Sequence, residues 1–98
     1  MDKSKGLDEK EVIANRMLRL LEPDGSECEV IVSIGRPQLF EDMEDYWVPY
    51  RISGGAIQRE FYAGGSDAIQ ALQLALLAVG SELRATKRQT RRTAQMEH

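Results

Sequence analysis

The chain reads as an α+β domain, a four-stranded antiparallel meander sheet with one long C-terminal helix packed on one face. Three observations predict it: a two-residue alternation from Cys28 to Ile34, glycine-rich turn chemistry between successive apolar runs, and a three-and-four repeat of apolar residues after Ser66-Asp67.

The first apolar run fits two patterns. Ile13, Met17, Leu20 and Leu21 fit a helical stripe, while Arg16, Leu18 and Leu20 fit alternation. Pro23-Asp24-Gly25-Ser26 decides for a hairpin, because proline presets φ and glycine supplies a positive φ between two apolar runs. Cys28, Val30, Val32 and Ile34 then alternate with Glu29, Ile31 and Ser33, the pattern of a half-buried, β-branched second strand that Gly35-Arg36-Pro37 ends. Tyr46 to Ser53 reads as a third strand, with Pro49 calling for a bulge or an edge position. Gly54-Gly55 turns the chain into a fourth strand, Ile57 to Ala63.

After Gly64-Gly65, Ser66 or Asp67 can cap a helix expected from about Asp67 to Arg84. Ile69, Leu72, Leu76, Val79 and Leu83 form its apolar stripe, and Ala68, Ala71, Ala75 and Ala78 flank it. At ~1.5 Å per residue the helix is ~27 Å long, close to the ~26 Å of an eight-residue strand, so one helix can cover one sheet face. Residues 1–11 read as a flexible arm, 12–84 as a single domain, and 85–98 as a basic tail, either a helix extension or disordered.

Composition narrows the class. A 98-residue chain that is 42% hydrophobic and 30% charged is expected to form one domain with a thin core. Cys28 is the sole cysteine, so no internal disulfide can form, and no run reaches the ~18 apolar residues a membrane helix needs. The charged start lacks the apolar core of a signal peptide, and the expected location is the cytoplasm.

Cys28 on a strand's inward face and His98 at the last position make no metal or nucleophile pair, and the glycines form no phosphate loop. No cofactor, metal or catalytic residue is therefore expected, and the chain is read as a non-enzyme. Gly65 to Asp67 precedes a helix start that could receive an anion, but Asp67 already places negative charge there.

Three surfaces remain. Phe40, Glu41, Asp42, Glu44, Asp45, Tyr46 and Trp47 combine carboxylates with aromatic anchors and are the candidate partner-binding set, suited to a basic protein. Ala71, Leu74, Leu77 and Ala78 lie off the helix stripe and are the candidate self-association face of a homodimer. Arg84, Lys87, Arg88, Arg91 and Arg92 complement the helix dipole and could contact phosphates, although the tail has no aromatic stacking groups to support nucleic-acid binding.

The segments Leu21-Glu22-Pro23-Asp24-Gly25, Ile34-Gly35-Arg36-Pro37, Trp47-Val48-Pro49-Tyr50-Arg51-Ile52 and Ser66 through Leu76, with its Gln-Ala-Leu-Gln-Leu-Ala run, together resemble a family of small bacterial domains of unknown function. The resemblance covers about residues 12–84. It implies a bacterial source and a compact stand-alone domain, and it brings no reaction. Where members of that family often carry cysteine before the third-strand proline, this chain has Val48, so the resemblance implies no thiol function there. The functional expectation is a protein-interaction domain, in one form a cytosolic immunity or antitoxin-type protein. The alternative is a small-ligand or nucleic-acid module that uses the basic helix end.

Overall fold

In a computed structural model, which describes residues 7–22, 24–41, 44–55 and 57–96 and helix side chains as far as Ala85, the chain forms a five-stranded antiparallel sheet and one helix. The strands are β1 (Val12–Leu21), β2 (Glu27–Gly35), β3 (Gln38–Leu39), β4 (Tyr46–Gly54) and β5 (Ile57–Gly65), followed by α1 (Ala68–Met96). The ambiguous first run is a strand, and Leu18, Leu20 and Arg16 lie opposite Val30, Cys28 and Val32 of β2.

The four-stranded meander needs correction. Gln38-Leu39, which lies outside the four expected strands, is a short strand that pairs with Trp47 and Tyr46, so the order is β1-β2-β4-β3 with β5 on the other edge of β4. The register explains why. Ile34 faces Tyr50 and Gln38 faces Trp47, so residues 35–37 stand opposite only Val48 and Pro49. β3 thus resumes the line of β2 beyond a bulge, and Pro49, which has no N–H to give, sits opposite the interruption.

The β4–β5 turn depends on Gly54. Its φ is +150°, and a Cβ there would lie 2.1 Å from the Glu29 carbonyl oxygen and 2.7 Å from the Val30 Cα. At the other hairpin Gly25 has φ +93°, and Asp24 accepts from the Ser26 N–H at 2.9 Å and its hydroxyl at 2.7 Å. These hydrogen bonds lower the Asp24 pKa, the side-chain bond from Ser26 foremost.

The core lies between α1 and one face of the sheet. Val30, Val32, Ile34, Val48, Tyr50 and Ile52 meet Ala71, Ala75 and Val79, all of them buried. The helix seats itself on alanine, which differs from the expected stripe: Ile69 is 70% exposed and Leu76 58%, while Leu72 and Leu83 are only half-buried. With ~100° between successive helical residues, the observed buried line is turned roughly a quarter-turn from the expected one. The branched and aromatic side chains of the sheet already fill the layer, so the helix backbone approaches closely through small residues and the leucines are pushed to its flanks.

α1 packs chiefly over β4 and β5. One helix therefore covers only part of the face, and a groove of about 330 Å³ stays open toward β1, lined by Ala14, Arg16 and Leu18 on one side and Leu76, Val79 and Leu83 on the other. Along the covered part, Glu82 fastens helix to sheet. It accepts from the Tyr50 hydroxyl at 3.1 Å and from Arg59 Nε at 2.8 Å. Burial first, and then the hydrogen bond to Glu82, raise the Tyr50 pKa.

The far face of the sheet carries the start of the chain. Asp8 caps a single 3₁₀ turn, Glu9–Glu11, and Leu7 is buried against Gly35 and Pro49. Arg51 donates to the Leu7 carbonyl at 3.2 Å and pairs with Glu60 and Glu9. Residues 7–11 of the expected arm are thus fixed, because one leucine finds an apolar seat and its backbone finds charged partners. Residues 1–6 lie outside the described residues.

Two predictions follow from this packing. Gly54→Ala should destabilise the fold by about 2–3 kcal/mol, since the Glu29 backbone must move, whereas Gly25→Ala, which meets open space and bears only a positive-φ penalty, should cost about 1 kcal/mol; urea midpoints measure both. Tyr50 is held protonated in the folded state, so its contribution is complete below the unfolded tyrosine pKa of about 10 and fades as pH rises through the higher folded value. Tyr50→Phe should cost about 1–2 kcal/mol near neutral pH and flatten the loss of stability on the alkaline side.

Candidate interaction surface

Trp47 and Tyr62 belong to the face opposite the helix, by the two-residue period of β4 and β5. Tyr62 faces Pro49 and Gly64 faces Trp47, so the two rings are diagonal neighbours. Their centroids are 5.7 Å apart, nearly edge to face. Phe40 completes the cluster at 6.2 Å from Trp47 and 6.1 Å from Tyr62. It reaches them because β3 pairs with β4 and because the Phe40 N–H donates to the Asp45 carbonyl at 2.9 Å, closing the acidic loop at its base. Gly64 leaves room for the Phe40 ring, whose Cε2 would lie 3.8 Å from a Cβ there.

The cluster extends to the β5 edge. Phe61 and Tyr62 point to opposite faces, yet their rings meet at 5.1 Å, and the Arg59 guanidinium lies 5.6 Å from the Phe61 centroid. Phe61 is 51% exposed, while Phe40, Trp47 and Tyr62 are half-buried. Glu41, Glu44 and Asp45 are exposed beside them. The result is a ridge of aromatic edges bordered by carboxylates.

Of the residues expected to bind a partner, Phe40, Trp47, Glu41, Glu44 and Asp45 come together. Asp42 lies outside the described residues. Tyr46 does not join them: strand alternation turns it to the helix side, where it packs half-buried against the core. Tyr62 and Phe61 were missed, although the outward parity of Tyr62 was visible in Ile57 to Ala63. What the sequence could not show is the pairing register that lays β5 beside Trp47.

The expected self-association set divides. Ala71 is fully buried and Ala78 partly buried against the core, so neither belongs to an exposed strip, while Leu74 and Leu77 are 39% and 65% exposed. Of the basic residues, Arg84 is exposed; the side chains of Lys87, Arg88, Arg91 and Arg92 lie outside the described residues, though the helix backbone continues to Met96.

The helix start is satisfied by its own residues. Asp67 accepts from the Gln70 N–H at 2.8 Å, and Gln70 accepts from the Ser66 N–H at 2.7 Å and the Ser66 hydroxyl at 2.9 Å. Cys28, half-buried at the edge of the core, has its pKa raised by a hydrogen bond to Glu22 and then by burial, so its thiol stays protonated. Among the described residues no group of three His, Cys, Asp or Glu side chains could hold a metal ion, and no helix is long and apolar enough to cross a membrane.

No curated protein and no solved structure matches the chain. One family model does match, that of a domain of unknown function, DUF6968, and it spans residues 14–97, from the first strand through the helix. Covering nearly the whole chain, this match establishes that the protein belongs to the DUF6968 family.

Proposed function

We propose that this protein is a non-enzymatic interaction domain that recognises a basic protein partner through its aromatic and acidic ridge, in the manner of a cytoplasmic immunity or antitoxin-type protein. One observation carries the reading: Phe40, Trp47 and Tyr62 form a half-buried ring cluster beside the exposed Glu41, Glu44 and Asp45. Rigid aromatic side chains supply contact area at little entropic cost, and flanking carboxylates steer a cationic surface into place. Trp47 and Tyr62 sit on paired strands, and the Phe40 N–H is bonded to the Asp45 carbonyl, so the ring cluster is held in shape before a partner arrives.

The alternative is a nucleic-acid module that uses the basic end of α1. It is favoured by the helix backbone running on to Met96, which arrays Arg84, Lys87, Arg88, Arg91 and Arg92 on a regular helix. Its mark would be binding to DNA or RNA that weakens steeply with salt.

For the interaction reading, the partner co-purified with tagged protein from the source cells is titrated calorimetrically against three variants. Trp47→Ala and Phe40→Ala should each weaken binding at least about tenfold, and reversal of Glu41, Glu44 and Asp45 to lysine should weaken it further and remove its salt dependence. Unchanged affinity in all three, with retained folding, sinks the proposal. A gel shift by the wild-type chain that is lost on changing Arg88 and Arg91 to glutamate would favour the alternative instead.

A further inference from the structure

β1 is an edge strand of ten residues, Val12–Leu21, paired only with β2 among the described residues. Long apolar edges are ordinarily blunted by proline, bulges, dense charge or a covering element. β1 has no proline or glycine, its charges are Arg16 and Arg19, the latter paired with Glu27, and its one irregularity lies at its start, between Val12 and Ala14. Ile13, Met17 and Leu21 are 53%, 58% and 67% exposed, and Met17 faces Ile31, itself 44% exposed. On the other face of the same strand, Leu18 borders the open groove beneath Leu76 and Leu83. The opposite edge, β5, is protected by Arg59 and Glu60 and by contact with α1.

From this we infer that the β1 edge is the interface of a homodimer, in which β1 pairs antiparallel with β1 of a second copy about a two-fold axis normal to the sheet, centred on Met17. The strand is self-complementary in that register. Met17 faces Met17 of the second copy, Leu21 faces Ile13, Leu20 faces Ala14, Arg19 faces Asn15, and Arg16 lays its stem against Leu18. A centre on Arg16 would oppose two guanidiniums, which is destabilising. On the outer face the exposed pair Met17 and Ile31 joins its symmetry mate into one apolar row across four strands.

The symmetry is what singles out a second copy over an unrelated strand. An axis normal to the sheet keeps both helices on the same face, so the operation that pairs the edges also joins the two open grooves into one trough walled by Leu76 and Leu83 of each copy.

The test combines mass and crosslinking. Light scattering at about 100 µM should give twice 11.1 kDa for the wild-type chain. Met17→Glu should return it to the monomer mass with an unchanged circular dichroism spectrum, and Leu77→Glu on the outer helix surface should leave the dimer intact. In a Cys28→Ser background, Met17→Cys should form an intermolecular disulfide under mild oxidation, because directly opposed residues lie about 4.5–5.5 Å apart at Cα. Arg19→Cys should not, since its symmetry mate is four residues away, about 13 Å. A monomer mass for the wild type, a dimer dissolved by Leu77→Glu, or crosslinking of Arg19→Cys as readily as Met17→Cys overturns the inference.

Discussion

Everything in this fold hangs on the close approach of an alanine seam to a layer of branched side chains. Ala71, Ala75 and Val79 of α1 rest on Val30, Val32, Ile34, Val48, Tyr50 and Ile52, and among the described residues no larger helix side chain is buried with them. With so short a distance between helix backbone and sheet, the bulk of the core must come from the strands. Tyr50 is the largest of these side chains, and its hydroxyl then needs a partner at the helix, which Glu82 supplies while also holding Arg59 of β5. The apolar seam sets the distance between the layers, and the polar clamp ties the helix to two strands at one point along its length.

That choice of seam explains the surfaces. Ile69, Leu72, Leu76 and Leu83 would be core residues if the helix were rotated; here they flank the contact, and Leu76 and Leu83 border the open groove beside β1. Because α1 favours β4 and β5, the β1 half of the helix-bearing face keeps only partial cover. On the opposite face the N-terminal segment and the aromatic cluster are neighbours of another kind, built from single side chains rather than an element. Leu7 seats against Pro49 and Gly35, and Phe40 stands over Gly64. Both use the irregular stretch where β2 gives way to β3, since the bulge there opens the space that a regular ladder would fill.

Much of the chain was legible one element at a time. The alternation of Val30, Val32 and Ile34, the turns at Gly25 and Gly54, the Asp67 cap and the helix that follows it all stand where their residues place them, because each depends on neighbours within a few positions. The surfaces were legible only in part. Phe40 and Trp47 were readable as anchors, yet Tyr46 beside them faces the core side, as strand parity requires, and Tyr62, fifteen residues from Trp47, completes the cluster through strand register. Arg59, Glu82 and Tyr50 carried no signal at all as a group, being scattered over three elements.

The sequence by itself determined the kinds and order of the main elements, since backbone preference, capping and turn chemistry act locally. Only the tertiary structure decided which face of α1 lies down, that Gln38-Leu39 extends the line of β2, and which aromatic rings meet. The physical reason is that a helix bearing both an alanine line and a leucine line can present either one, and the choice is made by the volume the sheet already fills. That volume is a property of the assembled strands, contributed by residues up to fifty positions away, and no stretch of the helix records it.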